Sequence, residues 1–431
     1  MIVIITIFIL LLFLITGMPV AFALGITGAI GLFLIGGSEL LLGILQNTPY
    51  DSVSVFLFTT IPMFILMAEL MTASRITKDI FYASNKWFGH LPGGLGIATV
   101  LAGAGLGAVS GSSTASAATL ASSAVPEMKK FGYKTRFAMG VTSISGTLAI
   151  MIPPSITLIL FGILTDTGIG SLLIAGIIPG IITALGYIVT ILHWVKTKPD
   201  VAPKTPSKPP LRERMHSLQN IWPMLVLIIV VIGGIYSGFV TATEAGALGA
   251  FATLVVALLM RRLKVKNTQN AFKRALRSTA MIMTIIFCAM IFGYFLTATQ
   301  VTQNLINYVD ASGVSKWTVL ALIIVLYLVL GVFMDQAAIL ILTLPLTFPL
   351  MMSLGFDPIW FGIIVTKTSE IGLVTPPVGL NVFVASGAAG VSTSETFKGV
   401  TRFVIMDLIL LIILILFPVL STWLPGMMFS R

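Results

Sequence analysis

The chain has 431 residues, of which 57% are hydrophobic and only 9% are charged. Soluble domains carry about 25% charged residues, so this composition excludes an ordinary soluble protein and predicts a polytopic integral membrane protein. The formal net charge of +10 does not indicate nucleic-acid binding, because Lys and Arg cluster in short loops between apolar spans, as the positive-inside rule describes.

The cysteine and histidine residues give no indication of an enzymatic function. Cys288 is the one cysteine and lies in an apolar segment, so disulfide and redox chemistry have no basis. His90, His193 and His216 lie at span ends near charged residues, which is not where a metal triad would converge. We therefore predict a protein that is not an enzyme.

The first half is predicted to hold five spans and one hairpin. The apolar run 2–16 lacks the basic start and the small-residue cleavage site of a signal peptide, so it is interpreted as a retained first span. The remaining predicted elements are spans at 20–35, 53–72 and 172–195, a hairpin at 94–125 and a broken span at 137–164.

The hairpin and the broken span are the most informative stretch. Gly, Ala, Ser and Thr surround Gly111-Ser112-Ser113, between two apolar segments too short to cross a bilayer core of about 30 Å. This pattern predicts a re-entrant hairpin whose tip lies inside the membrane. Pro153-Pro154 must break the helix that follows, and unwound backbone at membrane depth is typical of a transport site. The alternative is that small residues serve close packing and Pro-Pro a kink.

The stretch 196–214 is rich in Pro and Lys and is interpreted as part of a cytoplasmic linker at 196–220. This linker divides the chain into a first repeat, 1–195, and a second repeat, 221–424. The second repeat follows the order of the first. Its predicted elements are spans at 221–238, 245–260, 280–296 and 403–420, a hairpin at 317–350 and a broken span at 359–385.

The two halves match at a fixed offset. Pro349 lies 223 positions after Pro126, and Pro376-Pro377 lie at the same offset from Pro153-Pro154. Five spans is an odd number, so successive halves would have opposite orientations in the membrane, which predicts an all-α fold of two inverted-topology repeats. Matching interruptions in the two halves point to a transporter binding site.

The charges predict the orientation. Most basic residues lie in loops at 75–86, 129–136, 196–214, 261–277 and 398–402, whereas the loops at 38–49, 166–170, 238–243 and 353–358 have no Lys or Arg. We therefore expect both termini in the periplasm, with the first hairpin entering from the cytoplasm and the second from outside. The stretch 261–277 is expected to lie flat on the inner leaflet of the lipid bilayer as a basic amphipathic helix.

The broken helices predict the chemistry of the site. Their free carbonyl groups suit Na⁺ and their free N–H groups suit a carboxylate, which predicts two cation sites beside one anion site. The predicted substrate-binding residues are Ser110, Ser112, Ser155, Asp335 and Asn381. The predicted Na⁺ ligands, for two or more coupling ions, are Ser112, Ser113, Ser145, Gly146, Thr147, Pro153, Gly331, Thr368, Ser369, Gly372, Thr375 and Pro376.

Charged residues inside spans are costly and usually functional. Asp335 lies at the second hairpin tip and Glu370 shortly before the second Pro-Pro pair, so both are expected in the site. A helix N-terminal charge explains Glu244 equally well. Glu69 is interpreted as structural, pairing with Arg75.

Five motifs carry a resemblance to a known family over essentially the whole chain. GAVSGSSTASAATLASSAVPEMKKFGY, IMIPPSITLILFG, TATEAGA, GVFMD and SEIGLVTPPVGLNVFV resemble the large (M, DctM-like) membrane subunit of tripartite ATP-independent periplasmic (TRAP) transporters. The last motif departs at one position, where Ser369 replaces Thr and keeps a hydroxyl.

The resemblance implies a Na⁺-driven carrier in the bacterial inner membrane that imports an acidic solute such as sialic acid, another sugar acid or a C4-dicarboxylate. It implies two partners, a small four-helix membrane subunit, expected as a separate polypeptide, and a periplasmic substrate-binding protein. We expect an elevator mechanism, in which the hairpins and broken helices move as one body against the other spans.

Two alternatives remain. A channel or non-transporting scaffold is the first, but a channel would need a continuous polar pore lining or a selectivity-filter loop, and the sequence predicts closed hairpins. The second is a stand-alone Na⁺/dicarboxylate symporter that needs no binding protein.

Overall fold

The chain folds into helices throughout the part that the structure, a computed structural model, describes: residues 2–74, 76–203, 208–219 and 221–429. Within these ranges nine helices are long and apolar enough to cross a bilayer, or ten if the bent pair Leu211–Leu218 and Trp222–Tyr236 forms one span. The prediction of an all-α, multi-pass membrane protein is confirmed.

The described part of the first half forms ten α-helices, and a 3₁₀ turn at Phe56–Thr59 leads into the third. They are α1 (Ile2–Ile15), α2 (Val20–Ser54), α3 (Thr60–Ala73), α4 (Ile76–Phe88), α5 (Gly94–Ser110), α6 (Ser113–Lys130), α7 (Thr135–Met151), α8 (Ile156–Thr165), α9 (Ile169–Ala175) and α10 (Ile177–Thr197).

The described part of the second half continues the series, with a π-helical turn at Ile229–Gly233 between α12 and α13. The helices are α11 (Leu211–Leu218), α12 (Trp222–Ile228), α13 (Gly234–Tyr236), α14 (Ala242–Leu259), α15 (Val265–Ala298), α16 (Val301–Ser312), α17 (Lys316–Phe333), α18 (Gln336–Ser353), α19 (Pro358–Gly372), α20 (Leu380–Ala389), α21 (Thr393–Leu416) and α22 (Val419–Phe429).

Two helical hairpins form where the sequence predicts them. In the first hairpin, α5–α6, the helix ends because Gly111 has φ 57°, and Ser112 caps the next helix by accepting from the N–H of Ala115. In the second hairpin, α17–α18, Asp335 caps α18 and its Oδ1 accepts from the N–H of Ala338 at 3.2 Å. Their depth in a membrane and the inverted relation of the halves stay predictions.

Two broken helices follow the hairpins, as predicted. The first, α7–α8, is interrupted between Met151 and Ile156, around Pro153-Pro154, and the second, α19–α20, around Pro376-Pro377. Both Pro-Pro peptide bonds are cis. Proline removes a backbone donor and crowds the preceding turn, so neither helix continues through its pair.

Four further helices, α2, α3, α14 and α15, pack against one another. Helix α2 packs along α15, and α3 packs against both α14 and α15. Gly28 lets the first pair approach closely, since a Cβ there would lie 2.7 Å from the backbone nitrogen of Phe292. We call α2, α3, α14 and α15 the scaffold.

Several predicted boundaries are wrong. The basic stretch 261–277 does not form a separate surface helix, because α15 runs unbroken from Val265 to Ala298 with no proline in it. Helix α1, with 14 residues, spans only about 21 Å. The predicted end of the second span at 35 coincides with the interruption of α2 at Gly36 and Gly37, after which helix continues to Ser54. Helices α4, α16 and α22 occupy segments for which no helix was expected.

Candidate functional site

The two hairpin tips meet at one cavity of about 430 Å³. The scaffold helices α3 and α15 form its opposite wall. Its lining residues are Ile65, Ala68, Glu69, Thr72, Ser110, Gly111, Ser112, Ser113, Thr114, Ala115, Ile156, Thr157, Ser278, Met281, Ile282, Asp335, Gln336, Ala337, Leu373 and Leu380.

Four helices begin at this cavity. Its wall contains first-turn residues of α6 (Ser113 and Thr114), α8 (Thr157), α18 (Ala337) and α20 (Leu380). The first N–H groups of a helix have no partner within the helix, and the helix dipole adds partial positive charge at that end. No Lys or Arg is among the described residues that line the cavity. The cavity wall therefore offers an anion backbone N–H groups and neutral side-chain donors.

Each hairpin tip packs against the break of its own half. A Cβ on Gly111 would lie 2.8 Å from the Pro154 carbonyl oxygen. In the second half the N–H of Gly379 donates to the carbonyl of Val332 at 3.2 Å. The unwound backbone of the first break is buried by protein, whereas Pro376 and Pro377 in the second break are exposed in this chain.

Two hydrogen bonds join the hairpin tips to the broken helices of the opposite halves. Asn381 on α20 donates from Nδ2 to the hydroxyl of Ser113 at the first tip. The Thr157 hydroxyl on α8 donates to Oε1 of Gln336 at the second tip, at 2.7 Å. Each tip is therefore tied to the broken helix of the other half, which joins the four elements into one unit.

The predicted substrate-binding residues fall into two groups. Ser110, Ser112 and Asp335 line the cavity directly. Ser155 and Asn381 are buried behind its wall, where Ser155 caps α8 through the N–H of Leu158 and Asn381 contacts Ser113.

The predicted Na⁺ ligands of the first half lie on the tip, the break and α7. Ser112 and Ser113 are at the tip, and Pro153 is in the break. Ser145 donates to the carbonyl of Val141 at 2.7 Å. A Cβ on Gly146 would lie 2.6 Å from that of Ala117, so α7 packs tightly against α6 at this point.

The predicted Na⁺ ligands of the second half lie on the second hairpin, on α19 and in the second break. A Cβ on Gly331 would lie 2.9 Å from the Cα of Gly372, which brings the end of α17 against the end of α19. The hydroxyls of Thr368, Ser369 and Thr375 donate to carbonyls four residues earlier on the chain. Each hydroxyl oxygen keeps lone pairs for a cation. Pro376 is in the break.

A family model confirms the resemblance seen in the motifs. The model of the tripartite ATP-independent periplasmic transporter, DctM component, matches residues 7–420. The chain belongs to this family. It is therefore a transport protein and not an enzyme.

Relatives in the DctM family match over nearly the full chain. The C4-dicarboxylate TRAP transporter large permease protein DctM of Pseudomonas aeruginosa is 35% identical over 94% of both chains. The 2,3-diketo-L-gulonate TRAP transporter large permease protein YiaN of Escherichia coli is 31% identical, covering 93% of this chain and 94% of its own. The sialic acid TRAP transporter permease protein SiaT of Haemophilus influenzae is 30% identical over 88% of this chain and 61% of its own length.

A solved structure shares the fold. The crystal structure of the Alcanivorax borkumensis YdaH transporter matches with a TM-score of 0.65 at 13% identity and covers 95% of this chain and 98% of its own.

A buried ionic cluster lies apart from the cavity of this DctM-family chain. Lys367 contacts Asp407 at 2.6 Å and Glu370 at 3.4 Å, and all three side chains have no exposed surface. Tyr187 donates to Asp407 at 2.9 Å and is 3.1 Å from the hydroxyl of Thr147. We call these five residues the ionic cluster.

The ionic cluster contains one residue that was expected in the transport site. Glu370 contacts Lys367 and is not among the residues that line the cavity. The hydroxyl of Thr147 contacts Tyr187, and its role as a Na⁺ ligand stays a prediction. Sequence reasoning missed Tyr187 and Asp407. The available signal was a lone Asp in the apolar run of α21 and a Lys-Glu pair three residues apart on α19.

Glu69 and Glu244 have different surroundings. Glu69 lines the cavity and accepts from Nε of Arg274 at 2.6 Å; its expected partner, Arg75, lies outside the described residues. Glu244 forms a capping box with Thr241, whose N–H donates to the Glu244 carboxylate at 2.8 Å. The helix-terminal interpretation of Glu244 therefore fits the structure.

Proposed function

We propose that this chain is the large permease subunit of a Na⁺-coupled, binding-protein-dependent secondary transporter that imports an acidic organic solute by an elevator mechanism. The convergence of four helix N-termini on one cavity carries this proposal. The three relatives are named for C4-dicarboxylates, 2,3-diketo-L-gulonate and sialic acid. These solutes all bear a carboxylate, which such a cavity would attract.

Na⁺ coupling is supported by the oxygen atoms at the two breaks. Each half places hydroxyls and unwound backbone at the contact between its hairpin and its broken helix. These are neutral oxygen ligands, suited to a hard monovalent cation. We therefore propose at least two Na⁺ ions per transport cycle.

An elevator motion is supported by the two hydrogen bonds between the hairpin tips and the broken helices. They join both hairpins and both broken helices, while α3 and α15 form the opposite wall of the cavity. The unit formed by the two hairpins and the two broken helices would move past the scaffold and carry the solute with it. In this proposal the protein lies in the bacterial inner membrane with both termini in the periplasm.

The proposed partners are a small four-helix membrane subunit and a periplasmic substrate-binding protein. Reconstitution of the chain with both, compared with the chain alone, tests this. We expect uptake of succinate, N-acetylneuraminate or 2,3-diketo-L-gulonate only with the partners present. Full uptake by the chain alone would favour the stand-alone symporter.

A further inference from the structure

The Gln336 side chain has an unsatisfied hydrogen-bonding group at the cavity. Gln336 is the first residue of α18, next to Asp335 at the second hairpin tip, and is only 7% exposed. Its Oε1 accepts from the Thr157 hydroxyl. Its Nε2 is buried and makes no hydrogen bond to any residue that the structure describes. Buried amide groups are rarely left unpaired, because their desolvation is costly.

The position of the amide suggests what would pair with it. Gln336 lines the cavity together with two carboxylates, Glu69 and Asp335. An anionic solute brings further acceptors, so a side-chain donor without a partner is a group that such a solute would satisfy. The bond from Thr157 fixes the opposite end of the amide. That bond holds the Gln336 side chain in place before a ligand arrives, which reduces the entropy lost on binding.

We propose that Gln336 is a specificity-determining residue that donates a hydrogen bond from Nε2 to a carboxylate oxygen of the transported solute. This inference rests on the proposed function. The solute carboxylate would lie against the first turns of α18 and α8, whose residues line the cavity and whose N-terminal N–H groups favour an anion. Thr157 is a positioning residue, since it acts through Gln336.

Two substitutions of Gln336 test the proposal. Gln336→Glu keeps the length and the oxygen that Thr157 bonds, but it replaces the donor with a carboxylate oxygen that repels an anion. Gln336→Met keeps the length of the side chain and removes both the amide oxygen and the amide nitrogen. We expect the KM for the transported acid to rise about 10- to 100-fold in both variants, with a smaller change in maximal rate, as for a lost hydrogen bond to a charged group.

The experiment uses the complete assembly in proteoliposomes, with succinate, N-acetylneuraminate and 2,3-diketo-L-gulonate as probes. Gln303→Glu is the matched control, because Gln303 is exposed on α16 and bonds Asn307. Melting temperatures of all variants identify misfolding, and Gln336→Met decides the question if Gln336→Glu does not fold.

The outcomes are distinct. A raised KM in the Gln336 variants alone supports the proposal. An unchanged KM in Gln336→Met, or a fall only in maximal rate, overturns it while leaving the proposed function intact. If the unaltered assembly takes up none of the three acids, the proposed function fails and this inference fails with it.

Discussion

Replacing Lys367 with Met is expected to destabilise the protein strongly. Lys367 is the one cation of the ionic cluster and contacts both Asp407 and Glu370, with no exposed surface on any of the three side chains. Its loss leaves two carboxylates buried without a compensating charge. Breaking a buried ion pair in this way costs about 3–5 kcal/mol. Thermal unfolding of the purified chain in detergent measures the effect.

Two further variants sharpen this prediction. Arg274→Met removes a cation from the pair with Glu69, in which the Arg274 side chain is 50% exposed, so its cost should stay near 0–1 kcal/mol. The triple variant Lys367→Met, Glu370→Gln, Asp407→Asn removes every formal charge and should recover part of the lost stability. If Lys367→Met melts at the same temperature as Arg274→Met, the ionic cluster does not stabilise the fold.

Substitution of Asp335 is expected to have the largest effect on transport. Asp335 lines the cavity and caps α18. Its carboxylate would repel that of an acidic solute, so we expect it to accept hydrogen bonds from solute hydroxyls or to orient a nearby N–H group or cation. Asp335→Ala removes the cap, at about 1 kcal/mol of stability, and also removes the carboxylate from the cavity wall. We expect Ala to abolish uptake and Asn, which also caps helices well, to retain a fraction of it.

Asp357 provides the matched control for Asp335. It caps α19, with its Oδ1 accepting from the N–H of Trp360 at 2.8 Å, and it does not line the cavity. Asp357→Ala therefore removes a cap without touching the site. Uptake should persist in that variant. Near-normal uptake by Asp335→Ala would remove Asp335 from the site.

The hairpins and breaks could be predicted because their signals are local. Gly111 can adopt a positive φ, and a Pro-Pro pair ends a helix wherever it occurs, so a short window of sequence suffices. The same local reasoning failed for α15, in which an apolar span and a basic segment form one helix. Composition changes at that point, but no residue breaks the helix.

The contacts that join the site could not be predicted from a single sequence. Asn381 and Ser113 are 268 positions apart, and Tyr187 and Asp407 are 220 apart. No local pattern relates such partners. Thr147 is a further example, since no local pattern pairs its hydroxyl with that of Tyr187, 40 positions later.

Uptake of the acidic solute by the complete assembly under an imposed Na⁺ gradient is the most direct test of the proposed transport function. The paired breaks offer neutral oxygen ligands, so we predict uptake that follows the Na⁺ gradient and stops when K⁺ replaces Na⁺. Uptake that is unchanged in K⁺ and instead follows a pH gradient would contradict the account.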